Sequence, residues 1–289
     1  MPSIKEYNRK ISSLKNTSKI TKTMKMVSAS KLRKAQDAQR NASAYADELN
    51  KLIYRIGGSV ESGKHALLEK RSEVKNVLFI LFSSDKGLCG GFNNNLFKFT
   101  DAQIQKREAM GQKVVLSCCG RRGYTYYQNR ATIKTHYEGI TQSPDPLEAH
   151  KVAKDACDSF LSGEFDEVFL IYNHFVSPIS QTTQIQHVLP LKGKDFEFEG
   201  SHVVDHDFIS EPPVEELLED LIPQMLDFLL YFALLENSAG EHGARMTAME
   251  NATKNATEMV DRYTLLRNRA RQAAITTELI EIISGAEAL

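Results

Sequence analysis

The chain is 289 residues long, 42% hydrophobic and 25% charged, the composition of a soluble globular protein with room for one large domain or two ordinary ones. No stretch approaches the roughly 18 consecutive apolar residues of a membrane span, and the opening MPSIKEYNRK has no apolar signal core, so a cytoplasmic-side protein is expected. The four cysteines, Cys89, Cys118, Cys119 and Cys157, stand in neither CxxC nor paired metal-type spacing; free thiols are expected, against a disulfide scaffold or a zinc site.

The formal net charge of -1 hides an asymmetry, because residues 1 to 40 carry eleven Lys or Arg against Glu6 and Asp37 alone. A basic helix of this kind suits nucleic acid, anionic lipid or an acidic protein surface, or is a solvated face. From Ser3 to Ile56 there is neither Pro nor Gly, and Gly57 and Gly58 then close the stretch. The spacing predicts one helix of roughly 80 Å at about 1.5 Å per residue. One heptad register holds throughout, with a positions Ile4, Ile11, Ser18, Lys25, Leu32, Gln39, Ala46 and Ile53, and d positions Tyr7, Leu14, Thr21, Ser28, Ala35, Ala42, Leu49 and Ile56. This seam is apolar at both ends and polar in the middle. There Ile20, Met24 and Val27 carry the apolar side chains to another face, which is expected to meet a different partner.

Next come the strand-like runs VKNVLFILFSS, KVVLSCC, ATIKTHY and DEVFLIYNHF, alternating with the helical stretches NNNLFKFTDAQIQKREAM and PLEAHKVAKDACDSFL. Such alternation implies βαβ units and a mostly parallel sheet. The polar run SQTTQIQHVLPLKGKDFEFEG is expected to end this domain as an extended edge segment.

Within it, SSDKGLCGGFN (residues 83 to 93) follows the first apolar run. It is neither the GxxxxGK[ST] of a P-loop nor GxGxxG, and Asp101 comes too early to be the acidic residue of a ribose contact. A tight corner in which Gly87, Gly90 and Gly91 supply permissive backbone is favoured over a phosphate cradle. HVVDHD (His202, Asp205, His206, Asp207) has ligand-type side chains without an identifiable third site and reads as a surface turn. Cys118 and Cys119 end an apolar run and read as buried thiols. No nucleophile with a base and no paired carboxylates stand out, so no catalytic, cofactor or metal residues are assigned.

Pro212 and Pro213 precede a second long helical region, VEELLEDLIPQMLDFLLYFALLENSAGEHGARM, in which Pro223 fits only with a kink. If the helix continues through Gly240 and Gly243, each costing about 1 kcal/mol relative to Ala, then Val214 to Ser284 would span roughly 105 Å. A second seam runs through Met249, Ala252, Ala256, Met259, Tyr263, Leu266, Ala270, Ala273, Thr277 and Ile280. The NAT triplets at Asn251 and Asn255 are set aside as glycosylation signals because they lie in this helix.

Three stretches resemble the gamma subunit of F-type ATP synthases, in order across nearly the whole chain. They are KNTSKITKTMKMVSASKLRKAQ, SSDKGLCGGFN, and EHGARMTAMENATKNA followed by RNRARQAAITTELIEIISGAEAL. Thr23 and Ser28, where the family usually has Ala, depart from the pattern, as do Gly240 and Gly243. The resemblance implies an α/β protein with a long antiparallel coiled coil of the N- and C-terminal helices and a Rossmann-like middle domain. Its boundaries would be 1–58 and 212–289 for the shaft and 72–208 for the foot.

The resemblance further implies a central rotor stalk inserted in a ring of alternating alpha and beta subunits. It would couple ion flow through the membrane c-ring to nucleotide exchange in beta without bond chemistry of its own. By motif, Lys22, Met24, Lys25, Arg245, Arg271, Gln272, Thr276 and Glu278 would meet the alpha/beta ring, and Phe208 and Glu211 the c-ring and the epsilon subunit. No nucleic acid and no direct membrane insertion are expected. Without an organelle-targeting extension, the expected place is the cytoplasmic face of a bacterial inner membrane, peripherally bound. Two rival readings stay open here: a βαβ nucleotide-binding protein with coiled-coil arms, and a basic coiled-coil nucleic-acid module.

Overall fold

A computed structural model of the chain describes residues 3–57, 66–69, 71–191 and 214–287. The chain divides into two compact units, residues 1–29 with 245–289, and residues 30–244. Helices α1 (Ile4–Gly57) and α5 (Val214–Glu287) each pass through both.

Helix α1 starts where its sequence supplies a reciprocal cap. The Glu6 N–H donates to the Ser3 hydroxyl at 3.3 Å, and the Ser3 N–H donates to the Glu6 carboxylate at 3.2 Å. With no Pro or Gly to interrupt it, the helix then runs to Gly57.

In the first unit α1 and α5 pair antiparallel, because partners on α5 fall in number as those on α1 rise. Asn8 accepts from Arg267, the rings of Tyr7 and Tyr263 lie 6.3 Å apart, Thr21 and Thr253 share a hydrogen bond of 2.6 Å, and Lys25 meets Glu250 at 2.6 Å. Every a and d position from Ile4 to Ala42 is buried or half-buried, the polar Thr21, Lys25 and Ser28 included. The α5 seam is wider than expected: Ala252, Leu266 and Ala270 are half-buried as predicted, and a second row one residue along joins them. Met249, Ala256 and Tyr263 face inward as predicted, but Thr253, Val260 and Arg267 stand with them, while Met259 is 50% exposed. The two registers share one row of the heptad, and apolarity alone selects Ala252 over the adjacent polar Thr253, whose hydroxyl the partner helix satisfies.

The second unit is built on a five-stranded sheet in the order β3-β2-β1-β4-β5. Strands β1 (Asn76–Phe82), β2 (Lys113–Cys119), β3 (Thr132–Tyr137) and β4 (Glu167–Phe175) are parallel, and β5 (Gln181–Leu189) closes one edge antiparallel to β4. β1 is central and buried on both faces, which is why its sequence is a continuous apolar run instead of an alternating one.

Val77, Phe79 and Leu81 pack with α2 (Phe92–Glu108) and α3 (Arg121–Tyr127) through Leu96, Phe97 and Tyr127. Leu78, Ile80 and Phe82 face α4 (Pro146–Leu161) and the α5 side chains Ile222, Met225, Leu226, Leu230 and Leu234. Each such side chain, fully buried, contributes about 1.5–3 kcal/mol. α4 begins where the Asp145 side chain accepts from the Leu147 N–H at 2.8 Å, with Pro146 in the first turn. α3, seven residues of RRGYTYY, is an element that periodicity is too short to reveal.

α5 is continuous through Pro223, Gly240 and Gly243. The two glycines mark close approach. A Cβ at Gly240 would stand 3.1 Å from the Phe92 ring, and one at Gly243 would stand 3.0 Å from Pro178 Cα. The HVVDHD motif, with Phe208 and Glu211, lies outside the described residues.

Candidate functional site

The corner after β1 decides between a phosphate cradle and a structural turn. The Ser83 N–H donates to the Cys119 carbonyl at 2.9 Å, and its hydroxyl accepts from the Gly123 N–H at 2.8 Å. The Ser84 N–H donates to Asn93 Oδ1 at 3.1 Å, while the Ser84 hydroxyl donates to the Lys86 carbonyl at 2.6 Å. The Asp85 carboxylate accepts from the Arg121 N–H (3.0 Å), the Gly139 N–H (3.3 Å) and the Thr141 hydroxyl (3.1 Å). These groups, which a cradle would turn toward a ligand, hold one another instead.

Of the three expected glycines only Gly90 uses the left-handed region, at φ 60°. Gly87 makes room for the Arg122 guanidinium, which would sit 2.6 Å from a Cβ, and Gly91 is helical at φ -82°. The left-handed partner of Gly90 is Leu88 at φ 62°, with its side chain 64% exposed.

In open α/β sheets nucleotides bind in the crevice beyond the strand ends where the strand order reverses, here between β1 and β4. That place is filled by α5. The Asn173 N–H at the end of β4 donates to Asn237 Oδ1 at 3.4 Å, the Asn173 amide donates to the Phe92 carbonyl at 3.3 Å, and Gly240 sits against Phe92. An open cleft of about 550 Å³ lies to one side, over Leu88, Phe97, Arg122, Tyr126 and Arg130. Arg130 stacks on the Tyr126 ring at 4.2 Å, and no carboxylate lines the cleft to act as a base.

Cys118 and Cys119 are buried as expected, and Cys157 is half-buried. Burial pushes Cys118 and Cys157 up to about 12, and burial, with Cys118 and Asp85 nearby, holds Cys119 well above the ordinary thiol value. Among the described residues no group of three or more His, Cys, Asp or Glu could hold a metal ion.

The predicted contact residues fall at two levels of the helix pair. Lys22 is exposed, Met24 and Lys25 are half-buried, and Lys25 is engaged by Glu250. Beside them Ile20 and Val27 stay 60% and 54% exposed, so pairing with α5 leaves this apolar face uncovered. Arg271, Gln272, Thr276 and Glu278 are all exposed near the end of α5, some 20 residues beyond Glu250 and so about 30 Å along the helix. Arg245 differs from these, since it is only 8% exposed. Glu250 and Thr253 escaped the sequence reading; the signal available for them was the polar character of Thr21 and Lys25 at seam positions, which requires polar partners opposite.

Comparison with known proteins covers the whole chain. A family model described as ATP synthase matches residues 3–289. The chain is 42% identical over 289 residues to the ATP synthase gamma chain of Trichlorobacter lovleyi, covering all of this chain and 99% of that one. It is also 42% identical to the gamma chain of Bdellovibrio bacteriovorus over 298 aligned positions, with the same coverage. Among solved structures, the central stalk and c-ring of the Tetrahymena thermophila mitochondrial ATP synthase contains a chain with 26% identity and a TM-score of 0.60, covering 81% of this chain and 99% of that one. A chain of the Euglena gracilis mitochondrial ATP synthase shares the fold at TM-score 0.65 and 21% identity, covering 99% and 94%.

Proposed function

The chain belongs to the ATP synthase gamma-chain family, and on that premise we propose that its paired helices turn inside a ring of alternating alpha and beta subunits while the sheet unit serves as the foot. It is the central stalk subunit of an enzyme complex that is membrane-associated, and no described helix is long and apolar enough to cross a membrane. The shaft comprises 1–58 and 212–289 and the foot 72–208. The complex sits on the cytoplasmic face of a bacterial inner membrane. Nucleotide chemistry belongs to beta, and this chain contributes rotation.

One observation carries the reading. Asn8 lies opposite Arg267, and α1 begins four residues before Asn8 at Ile4, so its cover runs out about four residues past Arg267. From about Gln272 to Glu287 α5 extends beyond its partner, carrying Ile275, Leu279, Ile280, Ile282 and Ile283 at 48–68% exposure. An apolar helix end left this exposed among the described residues needs a surrounding surface, and a ring supplies one.

The filled crevice between β1 and β4 supports the non-catalytic assignment. A rotor also sets a limit on its contacts. A stopping position deeper by about 4 kcal/mol would slow departure by roughly 1,000-fold, so contacts must be weak and distributed. Exposed ion pairs at about 0–1 kcal/mol each meet that demand, as does the adaptable Met24.

The test is the pair Arg271→Ala and Gln272→Ala in complexes reconstituted into vesicles. ATP synthesis is expected to fall while the helical circular dichroism of the purified chain stays unchanged. Unaltered synthesis would remove these residues from the interface.

A further inference from the structure

Glu236 of α5 is 4% exposed, an expensive place for a carboxylate. Two other elements of the same unit, α1 and β4, converge on it, and a third, β5, supports them. Gln39 of α1 donates from Nε2 to Oε1 at 3.2 Å, and His174 of β4 meets Oε2 through Nδ1 at 2.8 Å. A carboxylate only accepts, so Nδ1 of His174 carries the proton. The hydroxyl of Tyr172, also on β4, faces the same carboxylate and accepts from Gln184 of β5 at 2.9 Å.

We propose that Glu236 is the torque joint of the stalk, the residue through which the foot sheet is locked against rotation to both long helices. The inference rests on the central-stalk reading. Its physical basis is the difference between two kinds of packing. The apolar contacts of Leu226, Leu230 and Leu234 fix α5 to the sheet, but dispersion and burial are non-directional and resist twist weakly. Hydrogen bonds to a buried carboxylate are directional, and twisting α1 or β4 away strips one of its donors from a carboxylate that is itself 4% exposed. A cost placed on rotation is what a torque-bearing joint requires.

The experiment attaches a bead to the foot through Lys154→Cys, an exposed position on α4, in the assembled complex with its catalytic ring fixed to glass. The thermal angular spread of the bead is read while the enzyme pauses. Glu236→Gln replaces one of the two acceptor oxygens by a donor. Angular variance scales inversely with stiffness, so it is expected to rise roughly twofold. Gln39→Leu, which frees α1 alone and leaves the carboxylate paired with His174, is expected to raise it by less and decides the matter if Glu236→Gln does not assemble. A residue that merely stabilises the fold would lower Tm and leave the variance of the assembled complex unchanged. Unchanged variance in a rotating complex overturns the joint. A wild-type bead that never turns with ATP overturns the central-stalk reading beneath it.

Discussion

Gly243 and Gly240 show how one substitution changes sign with its surroundings. On an exposed helix face, Gly→Ala gains about 1 kcal/mol. At Gly243 the new Cβ would meet Pro178 Cα, a backbone atom, at 3.0 Å, whereas at Gly240 it would meet the edge of the Phe92 ring at 3.1 Å. Gly243→Ala is therefore expected to cost about 1–3 kcal/mol by overpacking, and Gly240→Ala to be closer to neutral because a ring can turn. Thermal unfolding checks this; a higher Tm for both variants would show that the helix and hairpin separate freely.

The thiols give a second prediction. Folded Cys118 and Cys157 hold their protons up to about 12 against an ordinary value of 9.0, so the folded state binds more protons than the unfolded one in that window. Their contribution is complete below pH 9 and is lost as pH rises toward 12. Unfolding by urea across pH 8 to 11 should show falling stability, less steeply in Cys118→Ala. The same burial predicts negligible labelling of these two thiols by a thiol reagent in the native chain at pH 8.

Among the elements, the polar centre of the coiled-coil seam invites the plainest test. Lys25 and Glu250 are 37% and 57% exposed, so their pair contributes about 0–1 kcal/mol. Lys25→Glu opposite the native Glu250 should destabilise modestly. The double exchange, Lys25→Glu with Glu250→Lys, should restore most of the loss, and a double-mutant cycle measures it. Absence of any coupling would show that the pair is solvated and passive.

The elements most legible in the sequence were those carried by unbroken runs: β2 and α4 fall on the predicted stretches, α1 closes at Gly57, and α5 starts at Val214 and runs three residues past the expected Ser284. α3 was not legible because seven residues carry barely two turns of periodicity. The Thr253 and Val260 register of α5 was hidden because a satisfied hydroxyl looks polar until its partner is known. The hub at Glu236 joins residues up to 197 positions apart, and no local pattern announces such a meeting.

For the whole molecule, the first turns of α1 pair with α5 near Tyr263 and Arg267, the end of α5 extends past that pairing, and the crevice that a nucleotide would use is occupied by the chain itself. Together these suit the central-stalk role proposed above. Weak exposed contacts on α1 and α5 suit a surface that must slide, whereas the buried hub at Glu236 suits a joint that must not. The central claim is tested most directly by purifying the chain through a tag, identifying what accompanies it by mass, and assaying ATP hydrolysis by the assembly and by the isolated chain. Alpha and beta subunits are expected to copurify, with hydrolysis belonging to the assembly alone. Hydrolysis or tight nucleotide binding by the isolated chain would contradict it and return the glycine-rich corner at Gly87 to Gly91 to consideration as an active site.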